Sequence, residues 1–447
     1  MSQLTNSDSP DVSKGNEPSP SSHQAEGEEM YHLAEELFPI GRSLTGEGVR
    51  KSLRIIQEHI SLEMHEVPTG TSIFDWTVPN EWNVHEAYII DPYGIRIADY
   101  SECNLHLLGY SEPIRKTVSR EELEEHLYSI PEKPDVIPYV TSYYETRWGF
   151  CLTDRQRRAL PPGNYQVVID ATLKPGSLTY GSLYLPGEKQ SEILLSASIC
   201  HPSLANNELS GPVLLTAIAK ELSSRKNRRL SYRIVFVPET IGSLCFISQN
   251  LDTLQSRVIA GYVLTCIGDS GPFSYLSSRN SDCLSDHIAT QFLEERHHNF
   301  KRYTYLVRGG DERQYGFPGI DLPIGSIMRT KYLEYPEYHT SADNLALLSP
   351  SSFQESFEVV CGILKRLERA RIFKVRTKGE PQLGRRGLYP TLSTISSRSV
   401  VEDMMNVLAY CDGRHDLTWI SKHLDRPIAA LETIIDTLLK HDVIDEM

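Results

Sequence analysis

No apolar run in the sequence reaches the ~18 residues that a membrane-spanning helix needs, so no such helix is expected. Basic charge is also in short supply: 45 Lys and Arg against 59 Asp and Glu leave a formal net charge of −14. That balance disfavours general binding to nucleic acid or anionic lipid, which depends on cations neutralising phosphates. The eight cysteines, scattered from Cys103 to Cys411, form no CxxC pair and lack the density of a disulfide scaffold. They read as the reduced thiols of a cytoplasmic protein. Residues 1–28 have neither the basic start nor the apolar core of a secretory signal; rich in Ser, Pro, Asn and acid, they read as a disordered tail.

What is present is enough chain for several cores, since 447 residues exceed the roughly 100–200 of one domain. Helical spacing begins near Glu29 in YHLAEELFPI and resumes in GEGVRKSLRIIQEHI after the turn GRSLTG. From Phe74 to about Gly163 the pattern changes to short strand-like runs broken by Pro and Gly. Beyond it, strands such as EILLSAS and YRIVFVP alternate with helices such as GPVLLTAIAKELSSR, which predicts a mostly parallel sheet flanked by helices. The expected α/β domain is therefore 29–73 plus 164–370, with a β-rich domain at 74–163 inserted. A linker is expected at 371–398 and a winged-helix-like domain at 399–447. The last segment carries ten acidic and four basic side chains, a net charge of −6. A DNA-reading helix needs the opposite sign, so a protein contact, including self-association, is the expected role.

Ligands in open α/β sheets gather at the carboxyl ends of strands. Four segments have that placement. SASICHPSLANNELSGP offers His201 as an imidazole donor, with Asn207 and Glu208 as oxygen donors at a helix entry. VPETIG puts Glu239 at a strand end, where a general base could act. RGGDERQYG supplies Asp311, and EYPEYHTSADNL supplies His339 with Asp343 near enough to orient its ring. Arg313 and Arg329 are candidates to hold a substrate carboxylate. Tyr143, Tyr144, Arg147 and Trp148 of the insert are candidates for substrate contact.

The order CHPSLANNELSG, PETIGS, GDERQY, EYPEYHTSADNL, together with TSYYETRWGFCL at 141–152, resembles the zinc aminopeptidase and glutaminyl cyclase superfamily. The resemblance is to its aminopeptidase-like bacterial branch and covers nearly the whole ordered chain. It implies that His201, Asp311 and His339, with Glu208 and Asn207, form the metal region. It also implies that Glu239 takes a proton from metal-bound water as the water attacks an amide carbonyl. Thr240 stands where a second carboxylate is usual, which implies one Zn²⁺ ion. Ser198 stands where a His is frequent, and Asn207 where a bridging Asp is expected; a neutral amide is the weaker ligand.

The expected function is thus a zinc-dependent hydrolase of a small peptide or aminoacyl amide or related metabolite, in a biosynthetic setting. Two alternatives stay open: an amide-forming or acyl-transfer enzyme on the same fold, and a metal-poor binding or scaffold protein.

Overall fold

The computed structural model describes residues 20–143, 145–388 and 395–447, with side chains from 25 and 401 onward in the first and last of these stretches. Its centre is an eight-stranded mixed sheet. The strands are β1 (Glu63–Pro68), β2 (Ser177–Leu185), β3 (Glu192–Ser198), β4 (Ser231–Val237), β5 (Val258–Leu264), β6 (Ser274–Leu276), β7 (Lys301–Tyr303) and β8 (Ile324–Met328), in the order β1-β2-β4-β3-β5-β8-β6-β7. The middle four, β4-β3-β5-β8, are parallel, while β1, β2 and β6 join antiparallel. Residues in β3 and β4 are buried on both faces, as unbroken apolar runs require when helices cover both sides of a sheet.

Six helices supply that cover: α1 (Pro20–Leu37), α2 (Glu47–His59), α3 (Ser210–Ser224), α4 (Ile241–Arg257), α5 (Leu284–Arg296) and α6 (Pro350–Arg369). Helix α6 starts where Ser349 Oγ accepts from the Ser352 N–H with Pro350 in the first turn, a common way of satisfying orphan amides. Helix α3 approaches the sheet so closely that a Cβ at Gly211 would lie 2.2 Å from the Leu264 carbonyl oxygen. Only glycine permits that contact, which fixes where the helix starts above β3 and β5.

Three expected boundaries shift. Of the tail expected at 1–28, residues 1–19 lie outside the described residues, and from Pro20 the chain is already helical. The insert extends past 163, because the long strand Asn164–Lys174 pairs antiparallel with both Glu81–Ile90 and Ile114–Ser119 in a four-stranded sheet completed by Arg96–Ile97. A strand of that length binds wherever its ladder is satisfied, and here its partners lie in the insert. The stretch 371–398 is not all linker: Ile372–Val375 is the middle strand of a three-stranded sheet, between Asp412–Asp416 and Ile444–Glu446. Helices α7 (Ile395–Ala409), α8 (Leu417–Leu424) and α9 (Ile428–Lys440) complete that C-terminal module. Among the described residues no helix is long and apolar enough to cross a membrane.

Candidate active site

The carboxyl ends of β3 and β4 lie side by side in parallel register, so the loops that leave them open on the same edge of the sheet. The β3 loop carries Cys200 and His201 into a one-turn π-helix, Ala205–Leu209, that leads into α3. The β4 loop carries Glu239 and then Thr240, whose φ of +67° is rare for a β-branched residue. His339, at φ +54°, and Ser203, at φ +44°, share the left-handed region. Strained backbone of this kind persists where the surroundings enforce it and concentrates at functional sites.

His201 and Glu208 form a buried pair, with Nδ1 2.8 Å from Oε2. The other Glu208 oxygen accepts from the His201 N–H at 2.9 Å and from the Cys200 N–H. Burial alone would raise the Glu208 pKa, but the His201 charge and these hydrogen bonds outweigh it and hold the carboxyl at about 2. Burial alone would lower the His201 pKa, yet Glu208 outweighs it and raises the imidazole to about 9. His201 is therefore an imidazolium at neutral pH, and its Nε2 faces Glu239 Oε2 at 3.7 Å. Behind this pair the buried Arg42 donates through Nε to the His201 carbonyl at 3.2 Å; burial lowers that guanidinium to about 10.

Glu239 sits on the cleft wall with its pKa raised to about 7, by burial first and by the Asp311 charge, with His201 opposing. The Arg313 guanidinium lies 3.8 Å from Glu239 Oε1 and donates to Thr240 Oγ1. Tyr139, Thr141 and Tyr143 of the insert close the opposite wall of a cleft of about 350 Å³, with Trp76 and His339. The insert reaches this far because Tyr139 N–H bonds the His339 carbonyl at 2.9 Å and Ile137 N–H bonds Ser341 Oγ at 3.0 Å. A larger hollow of about 760 Å³ between α1 and α3 is lined by Met30, Leu33, Val213 and surface charges. It holds none of these groups, so chemistry rather than volume selects the smaller cleft.

The expected site residues divide. His201, Glu239, His339 and Arg313 share the cleft, and Glu208 backs it. His339 has its pKa lowered to about 3 by burial and then by the His201 charge. It is therefore neutral, and its Nε2 lies 3.1 Å from Asn207 Oδ1. Asp343 does not orient His339 as expected. Its oxygens accept from the Asn206 and Asn207 N–H groups and the Tyr335 hydroxyl, so it fixes the turn that presents Asn207. Arg329 lies away from the cleft, bound to the Gly271 carbonyl and Glu355. Trp148 is buried in the core of the insert, stacked on His126 at 3.6 Å, and Arg147 is exposed and paired with Glu145. Tyr144 lies outside the described residues.

Asp311 is close to Glu239 and accepts three hydrogen bonds. One oxygen accepts from Thr240 N–H at 2.8 Å and Ser243 Oγ at 2.9 Å, the other from Ser198 Oγ at 3.0 Å. Burial raises its pKa to about 6 against those three donors. Ser198, Thr240 and Ser243 thus occupy three of its roughly four acceptor sites. Of the four expected ligands that are histidine or carboxylate, His201 and Glu208 fall into one compact cluster, together with Cys200. That cluster lies at His201 Nδ1, behind the ring, whereas Glu239 faces Nε2. Asn207, Glu208, Glu239 and Asp311 line a separate small cavity of about 20 Å³, where oxygen donors converge without an imidazole.

Cys200, Arg42 and Tyr139 are missing from the residues expected at this site. Arg42 falls in a turn-like GRSLTG, and Tyr139 reaches the cleft only because the insert folds back on the His339 loop. No local pattern signals either.

A family described as a domain of unknown function (DUF4910) matches residues 31–370, and a winged helix-turn-helix family matches residues 371–446. The sequence is 42% identical over 420 residues to a Clostridium acetobutylicum protein named for polysaccharide biosynthesis and an aminopeptidase-like domain, covering 94% of this chain and 96% of that one. A crystal structure of a Clostridium acetobutylicum protein named as a peptidase superposes with a TM-score of 0.78 at 40% identity, covering 96% of this chain and 98% of that one. A zinc aminopeptidase from Bacillus subtilis superposes with a TM-score of 0.55 at 12% identity, covering 76% and 95%, which shows a shared fold.

Proposed function

The chain belongs to the family defined by this domain of unknown function (DUF4910), on the fold of aminopeptidases, and from that premise we propose that its cleft cleaves the amide bond of a small peptide or aminoacyl compound. The observation that carries the reading is the line Glu208, His201, Glu239, with a fixed imidazolium 3.7 Å from a carboxylate whose pKa lies near neutrality. Glu239 takes a proton from water as the water adds to the carbonyl carbon, and returns it to the departing nitrogen as the C–N bond breaks. His201 stays protonated and offers Nε2–H to the developing oxyanion, a fixed positive donor in a water-poor site. The walls of Tyr139, Tyr143 and Trp76 suit a short, partly apolar substrate.

The test is hydrolysis of a panel of aminoacyl amides and dipeptides by the wild type and by Glu239→Gln. The variant should keep its fold and ligand binding while turnover disappears. Full turnover in Glu239→Gln removes the proposed base, and binding without turnover across the panel moves the protein to a scaffold role.

A second reading has one specific support. Cys200, His201 and Glu208 offer sulfur, nitrogen and oxygen, donors that suit zinc, and would hold the ion there. Held behind the ring on buried side chains, a bound zinc ion would act on the cleft by polarising and orienting the His201 imidazole. Turnover lost on exhaustive chelation and restored by Zn²⁺ alone would establish this reading over the first; turnover that survives chelation would exclude it. For the C-terminal module, whose segment from Ser399 carries a net charge of −6, the proposed role is contact with protein rather than DNA. Salt-dependent binding to duplex DNA would overturn it.

A further inference from the structure

Away from the cleft, three side chains from two parts of the chain meet where the C-terminal module joins the α/β domain. Asp282 lies in the turn before α5, His287 in the first turn of α5, and His415 in the strand Asp412–Asp416. One ligand atom from each lies within 4.8 Å of the other two. His287 Nε2 is 2.8 Å from Asp282 Oδ1, and His415 Nε2 is 3.7 Å from Asp282 Oδ2.

The state of the two imidazoles points to something beyond an ion pair. Both Nε2 atoms are buried, and neither makes a hydrogen bond. Close approach to Asp282 without hydrogen-bond geometry leaves two polar atoms unsatisfied in one place, which native structures seldom tolerate without a ligand. His415 is nine-tenths buried and held from behind: its ring stacks on Trp419 at 3.9 Å, and its Nδ1 lies 3.2 Å from Asp412. A carboxylate on Nδ1 fixes the tautomer that leaves the Nε2 lone pair free for a metal, the arrangement that recurs around metal-bound histidines. The Asp282 side chain is 58% exposed, which gives an ion a way in and leaves a coordination position for water.

We propose that Asp282, His287 and His415 bind one divalent transition-metal ion that clips the C-terminal module to the α/β domain. Two imidazole nitrogens and one carboxylate oxygen suit zinc and cobalt, and exclude the all-oxygen preferences of magnesium and calcium. The ion satisfies both orphaned nitrogens at once and ties β-strand to helix across the domain seam. Because the donors come from either side of that seam, binding and docking are one equilibrium.

The experiment uses the full chain, stripped of metal by chelation and titrated with Co²⁺ and then Zn²⁺. Visible absorption reports cobalt coordination, and metal analysis after desalting gives the number of ions per chain. The wild type should bind one more ion than His287→Ala or His415→Ala, and Zn²⁺ should raise its melting temperature by more than theirs. Asp412→Asn should weaken binding by about 10-fold or more, since it removes only the outer carboxylate. His201→Ala should leave this cobalt signal in place, which separates it from any ion in the cleft. The exposed Asp282→Asn guards against misfolding of the histidine variants and should also lose the ion. Equal ion counts and affinities in the wild type and Asp282→Asn, or no cobalt bound by the wild type, would overturn the proposal in favour of an interdomain ion pair.

Discussion

The Glu208 carboxylate has one oxygen on two backbone N–H groups and the other on His201 Nδ1, so its position is fixed from both sides and it acts on the cleft only through the imidazole. Glu208→Gln keeps the size and removes the charge. Burial and the Arg42 charge then oppose only the Glu239 charge, and the His201 pKa should fall from about 9, read from imidazole proton shifts. Turnover should fall by about 10²–10³ as the cationic donor is lost. An unchanged His201 titration would end this account. Glu208→Ala goes further, leaving the buried Cys200 and His201 N–H groups without their acceptor at a cost of about 1–3 kcal/mol. The same shifts fix the pH dependence of stability. The His201 contribution is whole below pH 6.5 and is lost as pH rises through about 9, while that of Glu208 is whole above 4.5 and is lost as pH falls through about 2. For catalysis, Glu239 must be ionised and His201 protonated, so kcat/KM should form a bell with limbs near pH 7 and 9. A rate flat across that interval on both sides would dissociate the two groups from the reaction.

At the scale of elements, the parts most legible in the sequence were those governed by local pattern. The buried runs of β3 and β4 and the helix between them follow from periodicity alone, and they bring His201 and Glu239 to one edge of the sheet. Pairing over long distances was not legible. Asn164–Lys174 looks like any β-rich run, and its partners, from Ser119 opposite Asn164 to Glu81 opposite Lys174, assign it to the insert. Trp148 reads as a substrate contact by residue type, yet it lies in the insert's core, while Tyr139 reaches the cleft through bonds to the His339 loop. Asp343 follows the same rule, since its partners are amides 136 and 137 positions away. The start of α3 offers a direct test of how tightly an element sets the site. In Gly211→Ala the new methyl would sit 2.2 Å from the Leu264 carbonyl, so the helix must move away from the sheet. Overpacking of this kind costs about 1–3 kcal/mol. Denaturant unfolding should show that loss, and displacement of the preceding turn should weaken the contact between Asn207 and His339. A variant as stable as the wild type would mean that the close approach is not a constraint.

For the whole molecule, the question is how the C-terminal module is joined. Its middle strand leaves α6 directly, and its last strand returns to the α/β domain. Arg229 donates to the Met447 carbonyl at 3.4 Å, and Lys189 Nζ to the Glu446 carbonyl at 3.0 Å. Ile372 belongs to the core of the α/β domain, whereas Phe373 belongs to the core of the module, so the two cores part between adjacent residues. Where the chain is cut therefore matters. Removing everything from Ser399 deletes both neighbours of the strand Ile372–Val375, leaving unpaired edges and the fully buried Phe373 without its core. That truncation should aggregate. Removing everything from Arg371 takes the strand with its sheet and should leave a soluble α/β domain whose cleft keeps its turnover, since no cleft residue lies in the deleted part. Its melting temperature should fall, because Ile372 and the Arg229 and Lys189 contacts are lost. Light scattering and thermal unfolding of the two truncations side by side decide the matter. If both aggregate, the module is part of the α/β core itself, and its attachment is structural throughout.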